Sequence, residues 1–189
     1  MKNFIEVYDN ALSTEACEKI KTFADFMCTK EGTVNTSKGV RVDEEKKRSF
    51  DCALNFNSES EVTNLVQKAL IESIEKYKIK HNQINLISYW SFDNIFNLQK
   101  YYPNQGYYQL HCENSSVNDC KRIGAWMIYL NTVSDGGGTY FDNYDLTLDA
   151  KQGRCVIWPA YWTHFHKGIV SKTETKYIAT GWITFIDNV

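Results

Sequence analysis

The segment His111-Cys112-Glu113 combines two side chains that bind metals, an imidazole and a carboxylate, at positions i and i+2. In an extended backbone these two side chains leave on the same face, and Cys112 leaves on the other. With a second histidine from a distant strand they would form a facial set of two histidines and one carboxylate. Such a set leaves neighbouring coordination positions open, which suits Fe(II) and oxygen chemistry. The His-x-Glu pattern is weak alone, because a histidine close to an acid is common at protein surfaces.

The second histidine has two candidates, His164 and His166, in the segment 162–168. If this segment is a strand, the two side chains share a face and stand roughly 6.6 Å apart along it. One of them would then bind a metal, and the other would lie next to the metal ligands without binding the metal itself. The alternative is a pair of hydrogen-bonded histidines at a strand end with no metal.

Lys176 begins the last apolar segment of the chain, ten positions after His166. A lysine beside a strand usually extends its methylene stem along apolar surface and keeps its ammonium in water. The other interpretation is that Lys176 points into the fold, where a buried ammonium needs an anionic partner. A dicarboxylate ligand would supply that partner.

Two amphipathic helices are predicted in the first part of the chain. Ser13 is a candidate N-cap for the first, whose apolar residues recur at three- and four-residue steps to Met27. Ser58 or Ser60 caps the second, which carries an apolar stripe to about Lys80. The polar segment 29–56 between them is either a solvated loop or a lid over a substrate.

After residue 82 the pattern changes to short apolar and aromatic runs separated by turn residues. Seven or eight strands with tight turns predict a sandwich or closed barrel supported by the helices, that is, a mainly β jelly roll with an N-terminal helical segment. The predicted strands are 84–88, 97–102, 123–131, 139–141, 146–148, 154–158, 164–170 and 176–186.

The length of 189 residues fits one domain, with helical support and the candidate lid loop in residues 1–82 and a jelly-roll core in residues 83–189. The net charge of −2 gives no overall field for nucleic acid or an anionic membrane. No apolar run is long enough to cross a bilayer, and the first residues lack the apolar stretch of a signal peptide, so a cytoplasmic location is expected. The six cysteines show no Cys-x-x-Cys pairing, which predicts reduced, mostly buried thiols and argues against zinc.

Several motifs taken together resemble the prolyl-4-hydroxylase-like iron(II)/2-oxoglutarate dioxygenases. The order and spacing of these motifs are far more specific than any one of them. The resemblance extends over residues 98–185, and the N-terminal third is only loosely similar. The stretches that carry it are Tyr-Pro-Asn-Gln-Gly-Tyr-Tyr-Gln-Leu-His-Cys-Glu (102–113), Met-Ile-Tyr-Leu-Asn (127–131), Gly-Gly-Thr-Tyr-Phe (137–141), Gly-Arg-Cys-Val-Ile-Trp-Pro (153–159), His-Lys-Gly (166–168), Lys-Tyr (176–177) and Gly-Trp (181–182).

The resemblance implies a double-stranded β-helix, the cupin-like form of the jelly roll, and a role for each matching residue. Fe(II) and 2-oxoglutarate would be the cofactors, with ascorbate as a reductant. The implied roles are Fe(II) binding for His111, Glu113 and His166; binding of the distal 2-oxoglutarate carboxylate for Lys176; contact with the co-substrate for Tyr129 and Tyr102; and a place in the pocket or substrate wall for Tyr108, Trp182 and His164.

The chain departs from the family pattern at two positions. Glu113 stands where the family usually has Asp, so the carboxylate is one methylene longer and the site must adjust. His164 is not required by the family motif, which leaves His164 as an alternative ligand to His166, although the spacing to Lys176 favours His166. The arginine-rich signature of the family's nucleic-acid dealkylating members is missing, since no arginine follows Arg154.

The implied reaction is hydroxylation of a C–H bond with release of succinate and CO2. A prolyl or other amino-acid side chain in a peptide or protein is the implied substrate, and neither nucleic acid nor a membrane is an expected partner. Fold and cofactor do not fix the substrate. The alternatives are the same chemistry on a small molecule, and a non-catalytic jelly roll that binds a metal or another ligand.

Overall fold

The computed structural model describes residues 2–36 and 39–186. Two α-helices support a set of antiparallel strands. The helices are α1 (Thr14–Met27) and α2 (Glu61–Lys80). The strands are β1 (Glu6–Tyr8), β2 (Lys30–Glu31), β3 (Val34–Thr36), β4 (Gly39–Arg41), β5 (Phe50–Asn55), β6 (Trp90–Phe92), β7 (Ile95–Tyr101), β8 (Arg122–Tyr129), β9 (Thr139–Phe141), β10 (Leu146–Leu148), β11 (Cys155–Pro159), β12 (His166–Gly168) and β13 (Lys176–Phe185).

The strands form one large sheet, one small sheet and a separate hairpin. The large sheet has the order β1-β11-β8-β13-β7-β5-β2, and β6 pairs with the far end of β13. The small sheet has the order β10-β9-β12, and β3 pairs with β4 alone. This is the mainly β jelly roll with an N-terminal helix that the sequence predicts.

The large sheet separates two apolar cores. Along β8 successive side chains point to opposite faces. Trp126 and Ile128 enter the core between the large sheet and the helices, whereas Ala125, Met127 and Tyr129 enter the core between the two sheets. The second core forms the inner end of a cavity of about 480 Å³.

Both helices begin at a serine that satisfies a free backbone N–H of the first turn. Ser13 accepts from the Ala16 N–H in α1, and Ser60, not Ser58, accepts from the Thr63 N–H in α2. Neither helix in the described residues has an apolar stretch long enough to cross a membrane. The six cysteines are all free thiols and four are buried, as predicted.

The front of the chain contains more sheet than the sequence predicts. The interpretation of residues 29–56 as a loop is wrong, because β2, β3 and β4 lie within it and β5 pairs with β7 over the whole of residues 50–55. Phe50, Cys52 and Leu54 alternate there with Asp51, which is the two-residue period of a strand. β1 and β2 also lie on the edges of the large sheet, so residues 1–82 are not only helical support.

Two predicted strands differ from the structure. The predicted strand 84–88 is largely a 3-10 turn (Asn82–Leu86), and the strand of this region is β6. His164 ends another 3-10 turn (Trp162–His164), so β12 begins only at His166. The expectation that His164 and His166 share one face of a strand is therefore wrong.

Candidate metal centre and adjoining cavity

Three residues predicted to bind a metal meet at the wall of the cavity. One potential ligand atom from each of His111, Glu113 and His166 lies within 4.8 Å of the others. Glu113 Oε1 is 3.6 Å from His111 Nε2 and 3.3 Å from His166 Nε2. Two imidazole nitrogens and one carboxylate oxygen at this spacing fit a divalent ion of the Fe(II) type.

Backbone pairing brings the two histidines together although 55 positions separate them. His111 and His166 form an isolated antiparallel bridge, in which each N–H donates to the carbonyl of the other at 3.0 and 2.8 Å. Directly opposite residues of such a pair have adjacent side chains. The Glu113 N–H donates to the Ala160 carbonyl at 3.0 Å, which fixes the third member beside them.

The ring orientation of both histidines is set by backbone carbonyls. His111 Nδ1 lies 2.9 Å from the Gln109 carbonyl oxygen, and His166 Nδ1 lies 2.9 Å from the His164 carbonyl oxygen. A carbonyl oxygen only accepts, so each Nδ1 donates and each Nε2 keeps its lone pair for the cavity. This is the usual way in which a protein fixes the tautomer of a metal-binding histidine.

Aromatic rings hold the two imidazoles in place. The Tyr107 ring stacks on His111 with centroids 3.8 Å apart and planes 11° apart. Phe141 and Trp158 contact the His166 ring with centroids 5.4 and 5.1 Å away.

The charges in the cluster favour an ionised carboxylate next to neutral imidazole. Burial raises the pKa of Glu113, but hydrogen bonds and charge interactions with His111 and His166 outweigh it, so the pKa lies well below its usual range. Burial lowers the pKa of His166, and the neighbouring His111 lowers it further. Deprotonated groups are the form that binds a metal.

Lys176 lies at the inner end of the same cavity with no anion beside it. Its ammonium is 5.6 Å from the centre of the Tyr101 ring and 5.3 Å from the centre of the Tyr129 ring. Across residues 2–36 and 39–186 it has neither a hydrogen bond nor an ion pair. Burial lowers the pKa of Lys176 to about 7. A buried ammonium near aromatic rings, with no counterion, fits an anionic ligand, because the anion would supply the negative charge that balances it.

Of the two tyrosines expected at the co-substrate, Tyr129 lies next to Lys176 and Tyr102 does not. Tyr129 is fully buried behind the cavity wall, and its hydroxyl is hydrogen-bonded to Thr139 Oγ1 at 2.7 Å, so Thr139 faces the cavity instead. Tyr102 lies at the outer rim and is 44% exposed, with Lys100 over its ring. Tyr101 takes the inner position because it is paired directly with Lys176 between β7 and β13.

Tyr107 replaces Tyr108 as the aromatic wall residue. Tyr107 lines the cavity and stacks on His111, whereas the Tyr108 hydroxyl donates to the Asn104 carbonyl away from it. Trp182 lines the cavity as expected and donates its indole N–H to Glu113 Oε2 at 2.7 Å.

The ring of His164 points away from the cluster, contrary to its expected place in the pocket wall. His164 Nε2 is 2.7 Å from the Asn3 carbonyl oxygen, and Nδ1 is 2.9 Å from Thr163 Oγ1. The residue does support His166, but through its backbone carbonyl. Both ring nitrogens have partners, so the ring has no free lone pair for a metal.

A buried ion pair in the cavity wall was not predicted. Lys47 Nζ is 2.6 Å from Asp51 Oδ2. Gln99 donates to the same oxygen at 3.4 Å and accepts from the Tyr101 hydroxyl at 2.6 Å, which links this pair to the residues around Lys176. The mixed-charge run 43–48 resembles a solvated loop in the sequence, and no local pattern singles out Lys47.

Residues 96–184 match the family model of the 2OG-Fe(II) oxygenase superfamily. No curated protein matches the chain.

Among solved structures, the chain is similar to a viral collagen prolyl hydroxylase from Paramecium Bursaria Chlorella virus-1 in complex with 2OG. The TM-score is 0.73 at 22% identity, over 97% of each chain. It is also similar to a prolyl-4-hydroxylase from Pseudomonas putida, with a TM-score of 0.71 at 12% identity over 98% of this chain and 95% of that one.

A third similar structure is a prolyl hydroxylase from Trichoplax adhaerens in complex with a peptide fragment of the hypoxia inducible factor oxygen degradation domain. The TM-score is 0.69 at 13% identity, over 97% of this chain and 84% of that one. At these identities the likeness shows the shared double-stranded β-helix fold.

Proposed function

We propose that the chain is a member of the 2OG-Fe(II) oxygenase superfamily, whose family model matches residues 96–184, and that it hydroxylates a C–H bond of a prolyl or other amino-acid side chain in a peptide or protein. Its cofactors are Fe(II) and 2-oxoglutarate. The observation that carries the proposal is one cavity that holds both the His111–Glu113–His166 cluster and the unpaired ammonium of Lys176.

The cluster would hold Fe(II) through His111 Nε2, His166 Nε2 and one oxygen of Glu113. All three residues line the same cavity, and their potential ligand atoms lie within 4.8 Å of one another. When bound, Fe(II) and 2-oxoglutarate supply, with dioxygen, oxidative decarboxylation to succinate and CO2 coupled to hydroxylation of the substrate.

Lys176 would bind the carboxylate of 2-oxoglutarate that is distant from the metal. A lysine ammonium acts as a point charge with three donors, which suits a carboxylate that approaches end-on. The Thr139 hydroxyl faces the same cavity as a second polar group. Tyr101 and Tyr129 flank the ammonium with their rings, exclude water and strengthen its attraction for the carboxylate.

A peptide or protein is the substrate class that the cavity mouth supports best. The outer lining comes from the β3–β4 hairpin and from the segment 102–111, and it includes Val40, Tyr102 and Leu110, all exposed. Exposed apolar side chains around a polar cavity suit a chain that lies across the opening and inserts one side chain. The structural similarity to a prolyl hydroxylase in complex with a peptide supports the same class.

Succinate formation tests the catalytic proposal. Purified protein with Fe(II), 2-oxoglutarate and ascorbate is expected to form succinate slowly even without a prime substrate, and the His166→Ala variant is expected to form none. A wild-type protein that binds Fe(II) and 2-oxoglutarate but forms no succinate would be a non-catalytic binding module.

Mass spectrometry tests the substrate class. A library of proline-containing peptides is expected to yield products heavier by one oxygen and to increase succinate formation. Matched peptides with each proline replaced by alanine serve as the control. Equal stimulation by the two sets would rule out proline, and stimulation by small amino acids alone would favour the small-molecule alternative.

A further inference from the structure

The carboxylate of Glu113 has its two oxygens in different surroundings. Oε1 faces the two histidines, while Oε2 accepts the indole N–H of Trp182 at 2.7 Å. A glutamate has one more rotatable bond than an aspartate, so an unrestrained Glu113 would present either oxygen, or both, to an ion. The Trp182 contact restricts that freedom, because the indole N–H holds Oε2 while Oε1 faces the two histidines.

Trp182 is itself held rigidly. It lies on β13 opposite Ala125 of β8, and the Arg122 guanidinium lies over its ring at 3.8 Å. A guanidinium on an indole face is a favourable cation–π arrangement. The indole therefore has a fixed place from which its N–H points at Glu113.

Arg122 links the indole back to the backbone of Glu113. Arg122 Nη1 donates to the Glu113 carbonyl at 3.1 Å and is 2.9 Å from Asp119 Oδ1. Asp119 is buried, so the guanidinium is fixed by a carboxylate at the same time. Arg122 thus holds the main chain of Glu113, and Trp182 holds its side chain.

We propose that Trp182 and Arg122 form a clamp that makes Glu113 a one-oxygen metal ligand. The clamp occupies Oε2 and leaves Oε1 for the ion, so the longer side chain does not take a second coordination position. That position remains open for a co-substrate that binds through two oxygens. Both are positioning residues, and the inference rests on the proposed metal site.

The first test is the Trp182→Phe variant, which keeps an aromatic ring under Arg122 but removes the N–H. With Mn(II) as the probe, its Kd is expected to rise about 10-fold, the lower end of the effect of losing a hydrogen bond to a metal ligand. Trp90→Phe is the matched control, because Trp90 donates to the Ile84 carbonyl at 3.0 Å and does not line the cavity. Its Mn(II) affinity is expected to equal that of the wild type.

The Co(II) absorption spectrum gives a readout that loss of stability alone would not change. The intensity of the visible bands reports coordination number, and Trp182→Phe is expected to change it at saturating Co(II) because Glu113 gains freedom to bind through two oxygens. Trp90→Phe is expected to leave the spectrum unchanged. An unchanged spectrum and Mn(II) Kd in Trp182→Phe would overturn the clamp.

A double-mutant cycle with Glu113→Asp isolates the coupling. The shorter carboxylate retreats from the indole, so Trp182→Phe is expected to cost less than threefold in Mn(II) affinity in that background. A loss equal to that in the wild-type background would overturn the clamp. Failure of the proposed function differs from both results, since the wild type would then bind no Mn(II) or form no succinate.

Discussion

The two ends of the cavity are built in opposite ways. At the outer end, which holds the His111–Glu113–His166 cluster, protein groups orient both imidazoles and both oxygens of Glu113, and the carboxylate lies next to imidazole nitrogens. At the inner end, the ammonium of Lys176 lies near the rings of Tyr101 and Tyr129 and has no anionic partner among the residues that the structure describes. The outer end is thus organised by the chain before any ligand arrives, whereas the inner end needs a ligand to complete its charge balance.

Removal of one histidine should give the largest effect, because it destroys the organised end. His111→Ala and His166→Ala are each expected to abolish Fe(II) binding, measured by equilibrium dialysis under anaerobic conditions, with circular dichroism to confirm the fold. Full iron occupancy in either variant would refute the ligand assignment.

Replacement of Lys176 should weaken ligand binding at the inner end without changing metal binding at the outer end. Lys176→Met is expected to weaken 2-oxoglutarate binding about 10- to 100-fold, which corresponds to the loss of a charge-assisted contact of about 1.5–3 kcal/mol. Mn(II) binding should not change. An unchanged 2-oxoglutarate affinity in calorimetry would rule out this role of Lys176.

The same variant should stabilise the ligand-free protein, since it removes a buried charge that lacks a partner. A rise in Tm of about 2–4 °C corresponds to about 1 kcal/mol in a chain of this size. Lys100→Met is the matched control, because Lys100 is equally buried but forms an ion pair with Asp25 at 2.5 Å. Lys100→Met is expected to have a lower Tm than the wild type. A lower Tm in both variants would contradict the assignment of Lys176 as the buried lysine without an ion-pair partner.

Proton uptake should accompany 2-oxoglutarate binding. The pKa of Lys176 in the ligand-free protein is about 7, so at pH 8 the amine is mostly neutral, and a carboxylate beside it would restore the charge. Uptake is expected to approach one proton at pH 8 and to disappear below pH 6, measured by calorimetry in buffers of different ionisation enthalpy. Lys176→Met should show none, and equal uptake in that variant would assign the proton elsewhere.

The lowered pKa of Lys176 also determines how the stability of the folded protein changes with pH. The unfolded chain, with an ordinary lysine pKa near 10.5, binds more protons than the folded chain between pH 7 and 10.5. The contribution of Lys176 to stability therefore rises with pH across that window in the ligand-free protein.

The smallest effect is expected for His164, whose ring lies outside the cluster. His164→Gln keeps a donor for the Asn3 carbonyl, so Mn(II) affinity should change less than about threefold, because the retained backbone carbonyl still orients His166. Loss of metal in this variant would exchange the assigned roles of the two histidines.

The sequence predicts the outer end of the cavity better than the inner end. The i, i+2 spacing of His111 and Glu113 specifies a shared face locally, and the structure brings them together. At the inner end the choice is between adjacent tyrosines, Tyr101 at the end of β7 and Tyr102 directly after it. Only the pairing of β7 with β13 decides between them, and that pairing is not visible in a local pattern.

The front of the chain shows a second limit. The alternation in β5 is a local signal that the polar composition of residues 29–49 obscures. The burial of Lys47 has no local signal at all, because it follows from the ion pair with Asp51 and the packing of this segment against residues 106–109. The ion pair is a property of the tertiary structure.

Because His111 and His166 form an isolated bridge, exchange of their backbone amide hydrogens can report whether the metal centre is occupied. Each of these two amide hydrogens is bonded to the carbonyl of the other residue, so both can exchange with solvent only when the bridge opens. An ion held by both rings would tie the two segments together and slow that opening. Deuterium incorporation at just these two amides would thus register occupancy of the centre, without reference to catalysis or to knowledge of the natural substrate.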